Sequence, residues 1–360
     1  MKIAIDARAL VSQKPAGKEN CIINVLEELF KKDKENHYFL YLNRDFNKVL
    51  PSNFSKKIIN APGIFWHFLV ILDLLFHKSD VFFAPISYII PALNFSSLNI
   101  TIVHDLFVFS SIKKSVELKT KLIEGLFIRL ALKNSEKIIA VSQSTKKDLI
   151  SLFKVQEEKI DVISWGVSSK YHVIEDKEEV RSSLIKYNLP EKFILFVGTL
   201  EPRKNIKRLI EAYYIISAQA HLVIVGKRGW FYKEIFQRIK ELKLENKIIF
   251  LDYVPGKDLP SLYNKAICFI YPSLYEGFGL PPLEAMACGC PVITSNISSL
   301  PEVVGNAAIL VNPYKIDEIT SALRKILTNE GLQQEFKKKG LAQAQKFSWR
   351  KTSEHILKIL

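Results

Sequence analysis

The chain has 360 residues, enough for two domains of ordinary size. Hydrophobic residues make up 48% of it, which supports packed cores and excludes a disordered polymer. The formal net charge of +14 favours anionic partners, but the lysines are scattered and no basic block interleaves with aromatics, which argues against nucleic acid.

Lys2 to Ile5 predicts a first strand, and MKIAIDARAL lacks the long apolar core of a signal peptide. Pro15-Ala16-Gly17 is a turn, after which Ile22, Val25, Leu26, Leu29 and Phe30 recur at helical spacing. Strand, glycine turn and helix are how a Rossmann-like half begins. His37 to Leu42 predicts a strand, and Lys57 to Asn60 a weaker one. Ile64 to Phe76 is the most apolar stretch. It is too short to span a bilayer and carries His67 and Asp73, so it predicts a core or interfacial helix. Asp80 to Pro85 and Asn99 to Val103 predict further strands, the second ending at His104-Asp105. Ligands of open α/β sheets bind beyond the carboxyl ends of strands, where a His–Asp pair can bond sugar hydroxyls or handle protons. Lys113 to Lys133 is basic and amphipathic, with Lys113, Lys114, Lys119, Lys121, Arg129 and Lys133 set against Leu118, Leu122, Leu126 and Phe127. That pattern suits a solvated helix face. Lys137 to Ser142 and Ile160 to Ile163 complete the strands of this half, and Ser142 opens a helix between them.

Ser168 to Glu191 predicts a connection with one short helix, and Phe193 to Val197 restarts the strand-first pattern. Directly after it, Arg203 and Lys204 stand beside a helix start near Asn205, an arrangement suited to a diphosphate. His221 to Val225 leads into Gly226-Lys227-Arg228-Gly229-Trp230, and Ile248 to Leu251 into Tyr253-Val254. Ile267 to Tyr271 predicts a strand before SLYEGFGLPPLEAMACGCPV, in which Glu276 and Glu284 bracket a loop with Gly277 and Gly279. Pro281 and Pro282 fit a first helical turn, and Glu284 there suits the positive end of the helix dipole. Strand, glycine loop and helix aim backbone N–H groups at an anion, with two carboxylates alongside for ribose and sugar hydroxyls. Pro291 to Thr294 predicts one more strand, and two helices end the chain. The histidines show no ligand spacing, no Asp-x-Asp occurs, and Cys288-x-Cys290 has no second pair, so no metal is expected. The four cysteines read as buried thiols of a reducing cytoplasm.

Glu276-x7-Glu284 within PSLYEGFGLPPLEAMACGCPVI resembles the donor-binding motif of the retaining GT-B glycosyltransferases of family 4. IVHDL, SQSTKKDL, GTLEPRKN, GKRGW and SLPEV resemble further segments, so the likeness covers nearly the whole chain and is denser in its second half. It implies an α/β fold of the GT-B type, two Rossmann-like domains facing across a cleft. Residues 1–167 would form the acceptor domain, with a helix at about 348–360 packing back on it, and 168–347 the donor domain. It implies a GDP- or UDP-hexose donor, a saccharide or lipid-linked acceptor, no cofactor, and a cytoplasmic protein with peripheral membrane contact. The motif variants lean towards mannose from GDP-mannose and surface polysaccharide synthesis. The resemblance assigns catalysis to Glu276, His104, Arg203 and Lys204. Around the donor it places Gly17, Thr199 and Val254, the loop Glu276, Gly277, Phe278, Gly279 and Leu280, and Glu284. Arg203 and Lys204 would meet the diphosphate, Glu284 the ribose, and Glu276 the sugar.

Three positions depart from the pattern: Glu19 stands where a second glycine is usual, Thr199 where arginine is, and Asn306 where aspartate is. Glu19 either turns away from the donor or marks its loop as an acceptor loop. A UDP-sugar transferase with a soluble acceptor, and a non-catalytic nucleotide-binding scaffold, are the alternative readings.

Overall fold

The computed structural model describes residues 1–13, 15–109 and 118–360, the side chains of 118–124 excepted. The sequence readings of Lys113 and Lys114, and of the Leu118, Lys119, Lys121 and Leu122 side chains, lie outside the described residues. The chain divides into two compact units. One comprises Met1–Ser110, Val116–Gly166 and Ser348–Leu360, and the other is built on Val167–Phe347.

The first unit runs β1 (Lys2–Asp6), α1 (Gly17–Lys32), β2 (His37–Leu42), β3 (Phe54–Ile58), α2 (Gly63–Phe76), β4 (Val81–Ala84), α3 (Ile89–Leu93) and β5 (Leu98–Val103). It continues through α4 (Leu118–Asn134), β6 (Ser135–Ala140), α5 (Gln143–Phe153) and β7 (Ile160–Val162). All seven strands are parallel, in the order β3-β2-β1-β4-β5-β6-β7. Parallel strands are covered on both faces, which is why HYFLYL and VFFA read as continuous apolar runs. β3 lies at Phe54–Ile58, three residues earlier than the sequence suggested. It is an edge strand carrying Lys56 and Lys57, and edge strands with lysines give a weak periodic signal. Ser142 caps α5 as expected, its hydroxyl accepting the Thr145 N–H at 3.0 Å.

The second unit runs α6 (Lys177–Lys186), β8 (Phe193–Val197), α7 (Ile206–Tyr214), β9 (His221–Val225), α8 (Tyr232–Glu241), β10 (Ile248–Leu251) and α9 (Leu259–Lys265). Then come β11 (Cys268–Tyr271), α10 (Leu280–Ala287), β12 (Val292–Ser295), α11 (Leu300–Val304), β13 (Ala308–Val311), α12 (Ile316–Thr328) and α13 (Glu330–Ala344). Its six parallel strands are ordered β10-β9-β8-β11-β12-β13. Both sheets are therefore Rossmann-like, each reversing direction once, at β1/β4 and at β8/β11. The sequence reading missed β13. It also counted two terminal helices where three occur, because Asn329 caps a new helix directly after α12.

The last helix, α14 (Trp349–Leu357), belongs to the first unit and packs on α1. Its start lies against Gly166, where an added Cβ would stand 2.1 Å from the Trp349 nitrogen. Backbone cannot yield as a flexible side chain can, so Gly166→Ala is expected to cost about 3 kcal/mol or more of first-unit stability. A melting temperature within about a degree of wild type would show that the contact is looser than this.

Candidate functional site

β8 and β11 are neighbours at the reversal point of the second sheet, with Cys268 opposite Ile194 and Phe269 opposite Leu195. The loops leaving their carboxyl ends are thus forced together, at the place where open α/β sheets bind ligands. After β8 the chain makes a short turn, Pro202–Lys204, that presents Arg203 and Lys204. Asn205 follows in a left-handed conformation (φ 59°), and its amide donates to the Pro272 and Pro313 carbonyls at 3.1 and 2.6 Å. The Arg203 carbonyl accepts from the Leu274 N–H at 2.7 Å and from the Ser273 hydroxyl at 3.0 Å. These bonds stitch the cationic turn to the glycine loop.

Glu276 is where the two loops meet. Lys204 Nζ lies 2.6 Å from its Oε1 and Arg203 Nη1 2.9 Å from its Oε2, while Ser273 donates to Oε1 at 2.6 Å. Arg203 Nε also pairs with Glu201 at 2.6 Å, and Lys204 bonds the Tyr271 hydroxyl. Lys204 is 5% exposed and Glu276 8%. Burial alone would raise the Glu276 carboxyl, but the Arg203 and Lys204 charges pull it down from 4.5 to about 2. Burial and the adjacent Arg203 push the Lys204 ammonium below its ordinary value, against the pull of Glu276. Two cations and two carboxylates make this cluster formally neutral, so the cations are held in place before any anion arrives.

The Glu276 backbone is held by Ser298, which the sequence reading did not single out, and by Ser299, the first residue of the SLPEV segment. Ser298 accepts the Glu276 N–H at 3.0 Å, and Ser299 donates to the Phe278 carbonyl at 2.6 Å. Ser298 has no sequence signal beyond its position between β12 and α11. Gly279 has φ 116°, and a Cβ there would come 2.8 Å from Leu300, so glycine is required where α10 begins at Leu280. Phe278 is buried edge-on against Phe347, and Gly277 stands between it and Glu276. Glu284 is in different surroundings. The Tyr263 hydroxyl donates to it at 3.3 Å, Tyr171 bonds it too, and burial raises its carboxyl. The two glutamates of one motif are thus driven to opposite sides of the usual carboxylate range.

Thr199 is exposed on the loop after β8, which pairs with the loop after β9: Leu200 N–H donates to Lys227 at 2.9 Å and Gly229 N–H to Leu200 at 3.1 Å. Val254 is buried just beyond β10, and Asn306 is exposed.

In the first unit, Gly17 opens α1, and an added Cβ there would meet nothing within 4 Å. The Glu19 carboxylate turns back to accept the Ala16 N–H at 3.1 Å, so the residue that departs from the family pattern caps its own helix. Lys18 pairs with Asp105 at 3.1 Å, linking α1 to the loop after β5. His104 is buried, with Nε2 2.7 Å from the Pro85 carbonyl. Nε2 therefore carries the proton, leaving Nδ1 as an acceptor. Burial and nearby Lys18 lower this imidazole to about 4. In the fold His104 is a neutral hydrogen-bonding group. Among the described residues, no group of three or more His, Cys, Asp or Glu is placed to hold a metal ion.

Known proteins share this arrangement of sequence. The family model for glycosyl transferases group 1 matches residues 176–343, and that for Glycosyltransferase Family 4 matches 43–171. The chain is 36% identical over 255 residues to the O-antigen chain mannosyltransferase B of Escherichia coli, covering 69% of this chain and 66% of that one. It is 38% identical over 229 residues to the serotype-specific mannosyltransferase WbdA of Escherichia coli. That match covers 61% of this chain but only 28% of the relative. The crystal structure of HepE from Anabaena in complex with UDP-glucose superposes with a TM-score of 0.81 at 21% identity, covering 100% of this chain and 99% of that one. Two parallel Rossmann-like sheets, the E-x7-E loop at the reversal point of the second, and family matches from residue 43 to residue 343 make this chain a member of the group 1 glycosyl transferase family with the GT-B fold.

Proposed function

We propose that the chain is a retaining glycosyltransferase that moves mannose from GDP-mannose to a saccharide acceptor, lipid-linked, in the synthesis of an O-antigen-type surface polysaccharide. The observation that carries this reading is the Arg203–Lys204–Glu276 cluster at the reversal point of the second sheet. The mannose rests on relatives such as the Escherichia coli O-antigen chain mannosyltransferase B and the Salmonella typhimurium O-antigen chain mannosyltransferase RfbU.

In this reading the bond from the sugar C1 to the diphosphate oxygen breaks as the acceptor oxygen attacks from the same face. The acceptor's proton passes to the departing phosphate oxygen. Arg203 and Lys204, fixed beforehand by Glu276 and Glu201, stabilise the negative charge that grows on the diphosphate, so protein cations do the work that a metal does elsewhere. Glu276 already has both oxygens engaged, which suits a residue that orients cations and hydroxyls better than one that attacks carbon. Glu284 meets the ribose, and neutral His104 accepts a hydrogen bond from a sugar or acceptor hydroxyl at Nδ1.

Thermal shift with GDP, UDP and their sugar conjugates tests the donor. A ligand at one hundred times its Kd adds about 2.7 kcal/mol to the native state. A GDP-selective rise in melting temperature, extended by GDP-mannose, is expected. A UDP-selective rise would overturn the mannose assignment, and no rise with any nucleotide would overturn the donor site.

A further inference from the structure

Glu284 stands in the middle of α10 and is only half-buried, so one side of its carboxyl is held while the other is open. Glutamate is a flexible side chain, and a ligand that must order it on binding loses part of its affinity. Here the ordering is done in advance. The Tyr263 hydroxyl donates to Oε2 at 3.3 Å, and the Tyr171 hydroxyl bonds the same carboxyl. Both rings are wedged in place. Tyr171 meets Tyr263 edge-on with centroids 6.0 Å apart, and Tyr263 meets Phe269 of β11 edge-on at 5.4 Å. Phenylalanine would serve these ring contacts equally, so what the hydroxyls add is their hold on Glu284.

The two tyrosines come from separate stretches of the second unit. Tyr263 is on α9, and Tyr171 lies in the irregular segment that precedes α6. Asn264, next to Tyr263, joins them. Its amide donates to the His172 carbonyl at 2.9 Å, and its oxygen accepts the Ile174 N–H at 2.9 Å. The segment carrying Tyr171 is thereby pinned to the helix carrying Tyr263. Burial raises the Glu284 carboxyl, while the Lys170 charge and the two hydroxyls oppose the rise. Burial also pushes both tyrosines far above their ordinary range, so they remain donors at any working pH. A carboxylate offers about four lone-pair sites. Tyrosine donors take two of them, which leaves as many as a vicinal diol needs.

We propose that Tyr171 and Tyr263 are positioning residues: they fix Glu284 so that its free lone pairs accept both vicinal hydroxyls of the donor's ribose, and so make the site select a ribonucleotide over a deoxyribonucleotide. The inference rests on the proposed reading of Glu284 as the ribose partner. Neither tyrosine touches the ligand in this scheme, and both act through the carboxylate. A site built to bond a hydroxyl rejects the analogue without it, because its own acceptor is left unpaired. A carboxylate free to rotate turns to water instead, and the penalty shrinks.

The test is isothermal titration calorimetry of the full chain with GDP and with 2′,3′-dideoxy-GDP, or with the uridine pair if UDP is the nucleotide that the wild type binds. The wild type is expected to prefer the ribonucleotide by about tenfold to a hundredfold, the range for hydrogen bonds to a charged group. Tyr171→Phe and Tyr263→Phe are each expected to weaken ribonucleotide binding by about fivefold and to leave the dideoxy analogue nearly unaffected, so the preference shrinks. In Glu284→Gln the preference is already small, and adding both phenylalanines should change it no further. Phenylalanine keeps both rings, and the two single variants are read separately, so misfolding of one leaves the other to decide. An equal loss of both affinities, or an unchanged preference, would overturn the proposal and leave the donor reading intact. So would a further effect of the phenylalanines in the Glu284→Gln chain, since the tyrosines would then act on the ligand directly. A wild type that binds both members of the pair equally would take Glu284 away from the ribose and overturn this inference with that assignment. Binding of neither nucleotide would overturn the donor site itself.

Discussion

Replacing Lys204 by alanine is expected to lower turnover by about two to three orders of magnitude, the cost of losing one preorganised group that meets transition-state charge. The effect is large because the ammonium is not a mobile surface charge. It is almost wholly buried, bonded to Tyr271 and set 2.6 Å from Glu276, so no neighbouring lysine can swing into its place. Arginine should not restore activity, since a planar guanidinium is larger than the space that encloses the ammonium. In the proposed mechanism donor affinity should fall less than turnover, because Arg203 remains to meet the ground-state diphosphate. Single-turnover assays beside nucleotide titration read the two separately. Turnover of Lys204→Ala within tenfold of wild type would remove this cation from the mechanism.

Glu276→Ala is expected to destabilise the second unit by about 3–5 kcal/mol, because it leaves a buried lysine without its counter-charge. Removing the carboxylate is worse for the fold than removing Lys204, since Arg203 would still neutralise Glu276 in the latter case but nothing replaces the carboxylate in the former. The same group predicts a pH dependence. Its carboxyl is depressed from 4.5 to about 2, so its stabilisation is complete above about pH 4.5 and is lost as pH falls through 2. A shift of that size corresponds to about 3 kcal/mol. Thermal melts across that window should show the wild-type transition falling steeply and Glu276→Gln, already uncharged, falling less. Parallel curves for the two proteins would place the acid sensitivity elsewhere.

What could be read in the residues was whatever depends on local order. FILFV and CFIY are apolar runs of strand length, and a glycine loop with prolines at the next helix start can only be a strand-to-helix turn. A chain that repeats this pattern across 360 residues yields parallel sheets, and the E-x7-E stretch marks where one of them ends. Two edge strands, β3 and β13, were least legible. β3 carries Lys56 and Lys57, and pairing with β2 and β12 decided for both strands what composition did not.

The partnerships at the site were tertiary. Arg203 and Glu276 are 73 residues apart and meet because β8 and β11, distant in sequence, are adjacent at the sheet reversal. From the sequence the two cations faced an anion alone; in the fold they are held by an internal carboxylate. Glu19 likewise stood as a carboxylate near a phosphate loop until the turn at Ala16 gave it a backbone N–H of its own. The apolar run of α2 left open whether its helix was core or interface, because composition does not record which side the sheet covers. The sequence by itself determined the element types, the parallel architecture and the chemical inventory of the glycine loop, since these follow from periodicity and backbone preference. Only the tertiary structure decided charge pairing, burial and exposed faces, since electrostatics and solvation depend on distances between residues the chain keeps far apart.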